Sequence, residues 1–182
     1  LNRISLKPLD EIDQGVLEEL KGKLGEVFDC PVEIEPQTIE LAHAYNPSRK
    51  QYLSTTLLSA IGASEKGEKA LGIVDVDLYA PGLNFVFGEA NINSSVAILS
   101  LYHLRAGWGL PHTATLFQER VVKEAIHELG HLYFLNHCSN ITCVMHFSNS
   151  LADTDTKGAS FCAKCQQRLG QRPKWRAKGN DR

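Results

Sequence analysis

The chain has 182 residues, 43% of them apolar and 22% charged, with a formal net charge of −2. This size and balance suit one compact unit of one or two subdomains, and exclude both a disordered polyelectrolyte and a globally basic chain. No apolar run approaches the ~20 residues needed to span a bilayer, so no membrane partner is expected. The N-terminus lacks a basic region followed by an apolar stretch, which favours a reducing, cytoplasmic location. The unusual counts are one methionine (Met145), five cysteines and seven histidines.

In chain order, Arg3 to Leu6 alternates and reads as a short strand. Asp13 opens an amphipathic helix carrying Val16, Leu17, Leu20, Leu24, Val27 and Phe28; Pro31 stops it, and Val32 to Ile34 begins a second strand. Cys30 stands apart from the other cysteines and reads as a reduced, partly buried thiol. Asn46-Pro47-Ser48 reads as a turn and helix start, followed by a helical face of Tyr52, Leu53, Leu57, Leu58 and Ile61. Ala70 to Tyr79 reads as a third strand, with Asp75 and Asp77 on a solvated face or at a strand end in preference to a metal site. Asn84 to Phe87 and Val96 to Leu104 follow as two more, with Glu89 solvated beyond the first of them. Strands alternating with helices predict a mainly parallel sheet, and the short link between the last two strands predicts that one runs antiparallel.

After a loop with Gly107, Gly109 and Pro111, Thr115 and Gln118 resemble a capping box, and helical periodicity runs to about Leu135. Residues 138–161 are rich in Ser, Thr, Asn and Asp, with little periodicity. A segment of this kind needs an organiser other than a core, such as a metal. Residues 164–182 carry seven Lys/Arg against one Asp, together with Trp175. They read as a solvated tail; nucleic-acid binding through this tail and the cysteine cluster is a distant third class of function.

Within the long helix, residues 127–131 read His-Glu-Leu-Gly-His. Positions four apart share a helix face, so His127 and His131 can reach one zinc ion. Glu128, one step round, can face the open side of the metal as a general base. His137 follows six residues after His131, the spacing that supplies a third imidazole once the helix ends; His112 and His146 are substitutes for that place. Three imidazoles leave a fourth position for water, the mark of a catalytic zinc, and peptide-bond hydrolysis is the reaction that follows. Cys138, Cys143, Cys162 and Cys165 form two close pairs, C-x4-C and C-x2-C. That pattern predicts a closed, four-cysteine structural zinc that organises the segment after the helix. A Cys162/Cys165 redox pair and disulfides are the competing readings. Tyr133, Tyr102 and His146 are candidates to stabilise an oxyanion, which sequence does not place.

Taken together, His127-Glu128-x-x-His131, a third histidine six residues on, His137-Cys138-x4-Cys143-Val144-Met145 and Cys162-x-x-Cys165 resemble the archaemetzincins, within the metzincin metallopeptidases. The stretches 46–52, 83–90 and 147–150 are similar to that family too. The resemblance implies an α/β fold: a five-stranded, mixed, twisted sheet over a backing helix and an active-site helix, plus a small zinc-stabilised C-terminal subdomain. On this plan residues 1–137 form the catalytic part and 138–182 the second part. The fourth strand is implied to be an antiparallel edge, here Asn84, Phe85, Val86 and Phe87, able to pair with an extended peptide substrate. Met145 is implied to lie in a turn beneath the catalytic zinc, as a floor and not a ligand; Arg49 and Tyr52 are implied to be structural parts of the backing helix. The implied cofactors are two zinc ions and the implied partner is a peptide or protein substrate. One departure is plain: the family pattern has glycine three residues after the second histidine, where this chain has Phe134. Either an adjacent residue such as Asn136 makes the turn or Phe134 is strained in place, its ring then filling core. This departure motivates the alternative function, a zinc-stabilised peptide-binding protein with little turnover.

Overall fold

The computed structural model describes residues 3–105 and 113–170. The glycine-rich loop with His112, and the basic tail from 171 onward, lie outside the described residues. Strand β1 (Arg3–Pro8) is followed by helix α1 (Gln14–Phe28), β2 (Val32–Ile34), a two-strand hairpin of β3 (Tyr45–Asn46) and β4 (Gln51–Leu53), and helix α2 (Ser54–Ile61). Then come β5 (Glu68–Val74), β6 (Leu78–Tyr79), β7 (Gly88–Asn91), β8 (Val96–Ser100), the long helix α3 (Thr113–Leu132), and the short helices α4 (Leu151–Thr156) and α5 (Ala163–Gly170).

The main sheet has the order β2-β1-β5-β8-β7, parallel throughout except for β7, an antiparallel edge. Alternation along the strands divides the core. Ile4, Leu6, Leu71, Ile73, Ala97 and Leu99 face α1 and α3, while Ala70, Val74, Val96 and Ile98 face Leu57, Leu58 and Ile61 of α2. Helix α1 is therefore the backing helix beside α3, and α2 covers the opposite face. Asp13 caps α1, its Oδ1 accepting from the Val16 N–H at 3.1 Å.

Several predicted elements differ from those observed. No helix starts at Ser48, because Asn46 Oδ1 accepts from the N–H groups of Ser48 and Arg49, and Lys50 adopts a left-handed φ of 56°, closing a hairpin. Arg49 and Tyr52 thus belong to the hairpin and not to a backing helix. The long strand 70–79 breaks after Val74. Asp75 pairs with Arg105 at 2.7 Å and Asp77 with His103 at 2.8 Å, so neither is a freely solvated carboxylate, and β6 joins a second sheet of order β3-β4-β6. The final strand stops at Ser100 and ends in a 3-10 turn, His103–Arg105. The antiparallel edge is not Asn84–Phe87 but Gly88–Asn91, because the carbonyls of Leu83 and Asn84 are taken by side chains of the hairpin. At the start of α3, Thr115 lies two residues inside the helix and is not its cap.

The segment after α3 has more order than its composition suggests. Cys143, Val144 and Met145 are fully buried, and Ser150 and Asp153 form a reciprocal capping box on α4. Helix α4 docks on a polar stripe of α3. Arg120 grips Asp155 at 2.6 and 2.7 Å, Lys123 donates to the Thr154 and Asp155 carbonyls at the end of α4, and Glu124 accepts from Thr154 Oγ1 at 2.7 Å.

Candidate active site and metal centres

The two histidines of α3 point Nε2 at each other, 3.2 Å apart. Their other ring nitrogens are committed: His127 Nδ1 meets the Val144 carbonyl at 2.9 Å and His131 Nδ1 the Leu135 carbonyl at 2.8 Å. A carbonyl only accepts, so both Nδ1 atoms carry the proton and both Nε2 atoms present lone pairs. His137 closes the group, its ring stacked on that of His127 at 5.3 Å and edge-on to that of His131 at 4.9 Å, and the three ligand atoms lie within 4.8 Å of one another. Burial lowers the pKa of all three imidazoles; for His127 the buried Lys157 ammonium, 3.5 Å from Nδ1, lowers it further. Converging lone pairs that resist protonation fit a cation. Two Zn–N bonds of ~2.05 Å at a tetrahedral angle would separate their nitrogens by about 3.3 Å.

The chain reaches His137 through a helix terminus of defined type. Leu135 N–H donates to the Gly130 carbonyl and Phe134 N–H to the His131 carbonyl, with Phe134 itself at φ 65°: a Schellman motif whose left-handed residue is Phe134. Of the two possibilities for this turn, strain at Phe134 is the one observed, and Asn136 is not the pivot. Its ring is 64% exposed and does not fill core.

Behind the histidines, a tight turn over Cys143–His146 is pinned at four points. His146 N–H donates to Cys143 O, Cys138 N–H to Met145 O, and Val144 N–H to Ser160 O, while His146 Nδ1 meets Cys138 O at 3.0 Å. Met145 is fully buried against Gly130, one of the two unspecified positions between His127 and His131. A Cβ at Gly130 would fall inside van der Waals contact of Met145 Sδ. Gly88 plays a similar part at the sheet edge, where a Cβ would lie 2.6 Å from both Glu128 Cγ and Ile98 O. Both glycines escaped the sequence reading. The one signal was Gly130, a helix-interior glycine, which ordinarily destabilises a helix and so suggests a close approach.

Glu128 is buried between β7 and α3. Its pKa is raised to about 8, chiefly by burial and then by Glu124 and Glu89, against the opposing pull of Lys157. Glu89 is not simply solvated: its carboxylate contacts Ser54 Oγ. Beneath His127, Lys157 is fully buried, 3.0 Å from Glu124 Oε1, and donates to the His146 carbonyl at 3.3 Å.

His127, Glu128 and Glu124 floor a cleft of about 250 Å3 between residues 82–88 on one side and Phe147, Ser148 and Asn149 on the other. The predicted substrate residues Asn84, Phe85, Val86 and Phe87 all line it, though as irregular backbone and not as a strand. Phe147 packs on His137 at 4.7 Å. None of the oxyanion candidates lines the cleft: Tyr133 stacks on Phe28, Tyr102 packs edge-on against His103, and His146 holds Cys138.

Cys138, Cys143, Cys162 and Cys165 form a second cluster, with sulfurs within 4.8 Å of one another and Cys138 Sγ 3.8 Å from Cys162 Sγ. All are free thiols. Four sulfurs around a Zn2+ at ~2.3 Å would be about 3.8 Å apart, so the cluster fits a tetrahedral ion. Cys162 has its pKa lowered to about 7, mainly by the Cys165 N–H, whereas burial raises Cys143 and Cys165.

A mixed sheet with an antiparallel edge over a helix bearing His-Glu-x-x-His, a returning third histidine and a buried methionine turn is the layout of a metzincin-type metallopeptidase. Comparison with known proteins narrows this class. Residues 36–171 match the model of peptidase family M54. The chain is 43% identical over 171 residues to the archaemetzincin of Methanocaldococcus jannaschii, covering 93% of this chain and 94% of the relative. It superposes on the crystal structure of archaemetzincin from Archaeoglobus fulgidus complexed with malonate (TM-score 0.79, 40% identity, 91% of this chain and 99% of that one). It also superposes on a zinc-dependent peptidase from Methanocorpusculum labreanum (TM-score 0.81, 29% identity, 91% and 99%). The chain belongs to peptidase family M54, the archaemetzincins, and is a metallopeptidase. Among the described residues, no helix is long and apolar enough to cross a membrane.

Proposed function

We propose that this chain hydrolyses peptide bonds using one catalytic zinc held by His127, His131 and His137, with a second, structural zinc held by Cys138, Cys143, Cys162 and Cys165. The observation that carries this reading is the convergence of two proton-free Nε2 atoms and a third imidazole, with His127 of that group lining the cleft beside Glu128. When bound there, zinc supplies Lewis acidity, polarising a carbonyl and acidifying a water. The chain's own residues do the rest. The Val144 and Leu135 carbonyls hold the two helix imidazoles in the ligating tautomer. Glu128 takes the proton of the attacking water and returns it to the leaving amine. Residues 84–87 hold an extended peptide along the cleft rim, and Met145 is a floor beneath the histidines and not a ligand. The His137–Cys138 step joins the two centres, so the cysteine zinc fixes the backbone that presents the third histidine.

Counting zinc per chain tests the assignment. Wild type is expected to hold two ions and His127→Ala one, with Glu128→Gln retaining two while losing turnover. A single ion that survives His127→Ala, or full activity in Glu128→Gln, would overturn it.

A further inference from the structure

The 46–52 hairpin, similar to the family in sequence yet remote from the histidines, meets the cleft rim directly. Arg49 Nη2 donates to the carbonyls of Leu83 and Asn84 at 2.9 and 3.0 Å, and its Nε donates to Gln51 Oε1 at 2.9 Å. Gln51 Nε2 donates in turn to Asn84 O at 2.8 Å and Asp77 Oδ1 at 3.1 Å. Asp77 also holds His103, whose ring packs 4.2 Å from that of Phe85. The guanidinium lies 4.3 Å over Tyr79, whose hydroxyl accepts from Asn46 Nδ2. The rim is otherwise thinly supported. Between Gly82 and Phe87, its backbone bonds to the rest of the fold are Leu83 N–H to Ala80 O, Val86 N–H to Leu78 O, and Ser100 N–H to Phe87 O. Among the described residues the N–H and C=O of Phe85 have no hydrogen-bond partner within the fold, although Phe85 lines the cleft.

We infer that Arg49 and Gln51 are positioning residues for peptide substrates: by occupying the Leu83 and Asn84 carbonyls they fix the rim so that the backbone of Phe85 is presented to an extended chain. This rests on the peptidase reading above. The physical requirement is specific. An irregular segment presents its backbone in one orientation only if its remaining polar groups are satisfied from behind, and the planar guanidinium reaches both carbonyls from Nη2 while its Nε holds Gln51, a fixed spread of donors that a compact ammonium does not match. Neither side chain lines the cleft, so neither acts on the scissile bond.

The test uses the full, zinc-loaded chain and a mixture of fluorescence-quenched decapeptides. Arg49→Met is expected to raise KM about tenfold with kcat held within about twofold, and to speed hydrogen exchange of the Leu83 and Val86 amides by a similar factor. Arg49→Lys is expected to recover only part of both effects. Gln51→Leu, which removes the second donor to Asn84 O, is expected to act in the same direction and serves if Arg49→Met does not fold. An unchanged KM alongside normal wild-type cleavage, or a fall in kcat with KM unchanged, would overturn the positioning role alone. Failure of the wild-type chain to cleave any decapeptide would instead overturn the peptidase reading on which it rests.

Discussion

Gly130→Ala separates two opposed effects of known sign. In an exposed helix interior the change stabilises by about 1 kcal/mol, because glycine has the larger backbone entropy to lose. Here the new Cβ would be driven into Met145 Sδ and would lie 3.2 Å from its Cε and 3.4 Å from Phe161 Cε1, in a fully buried turn. Overpacking of this kind costs about 1–3 kcal/mol, so a net loss of about 1 kcal/mol is expected in chemical denaturation. The displaced turn also carries the Val144 carbonyl that holds His127, so zinc affinity at the histidine site should fall about tenfold. A double-mutant cycle with Met145→Ala supplies the control. With the thioether gone, adding the methyl at 130 should stabilise by the helix-propensity gain. If Gly130→Ala raises stability by about 1 kcal/mol in the wild-type background, with zinc affinity unchanged, the close approach of the methionine turn to the helix is refuted.

Two further substitutions follow from the same geometry. Lys157→Met leaves Glu124 buried without its ammonium and should destabilise by about 3–5 kcal/mol; Lys157→Met with Glu124→Leu should recover most of that loss in the same denaturation assay. Phe134→Gly removes a left-handed strain while losing little burial, so it should raise the thermal midpoint by the equivalent of about 1 kcal/mol and leave zinc stoichiometry at its wild-type value.

The histidine motif was legible because its information is local: residues four apart on a helix share a face whatever packs around them. The four cysteines were legible for a similar reason, being two close pairs in a segment with no other organiser. What misled were stretches whose local pattern competes with a distant partner. Asn84–Phe87 carries the aromatic and β-branched residues typical of a strand and Gly88–Asn91 does not, yet Arg49 and Gln51, more than 30 residues away, take its carbonyls, and the strand forms where Gly88 makes room for Glu128. Tyr52 and Leu53 share a helical spacing with Leu57 and Leu58, but the Asn46 turn sets them into a hairpin first. Arg120, Lys123 and Glu124 look like the solvated side of α3 and are buried under α4, because ion pairing and helix-end carbonyls replace apolar contact there.

The most direct measurement is a cleavage profile of a random peptide library by mass spectrometry, comparing zinc-loaded wild type with zinc-loaded Glu128→Gln. New internal termini should accumulate with wild type and fall by at least about a hundredfold with the variant, both proteins holding the same zinc. Equal cleavage by the two, or none by wild type with its zinc in place, would contradict a peptidase built on His127, Glu128, His131 and His137.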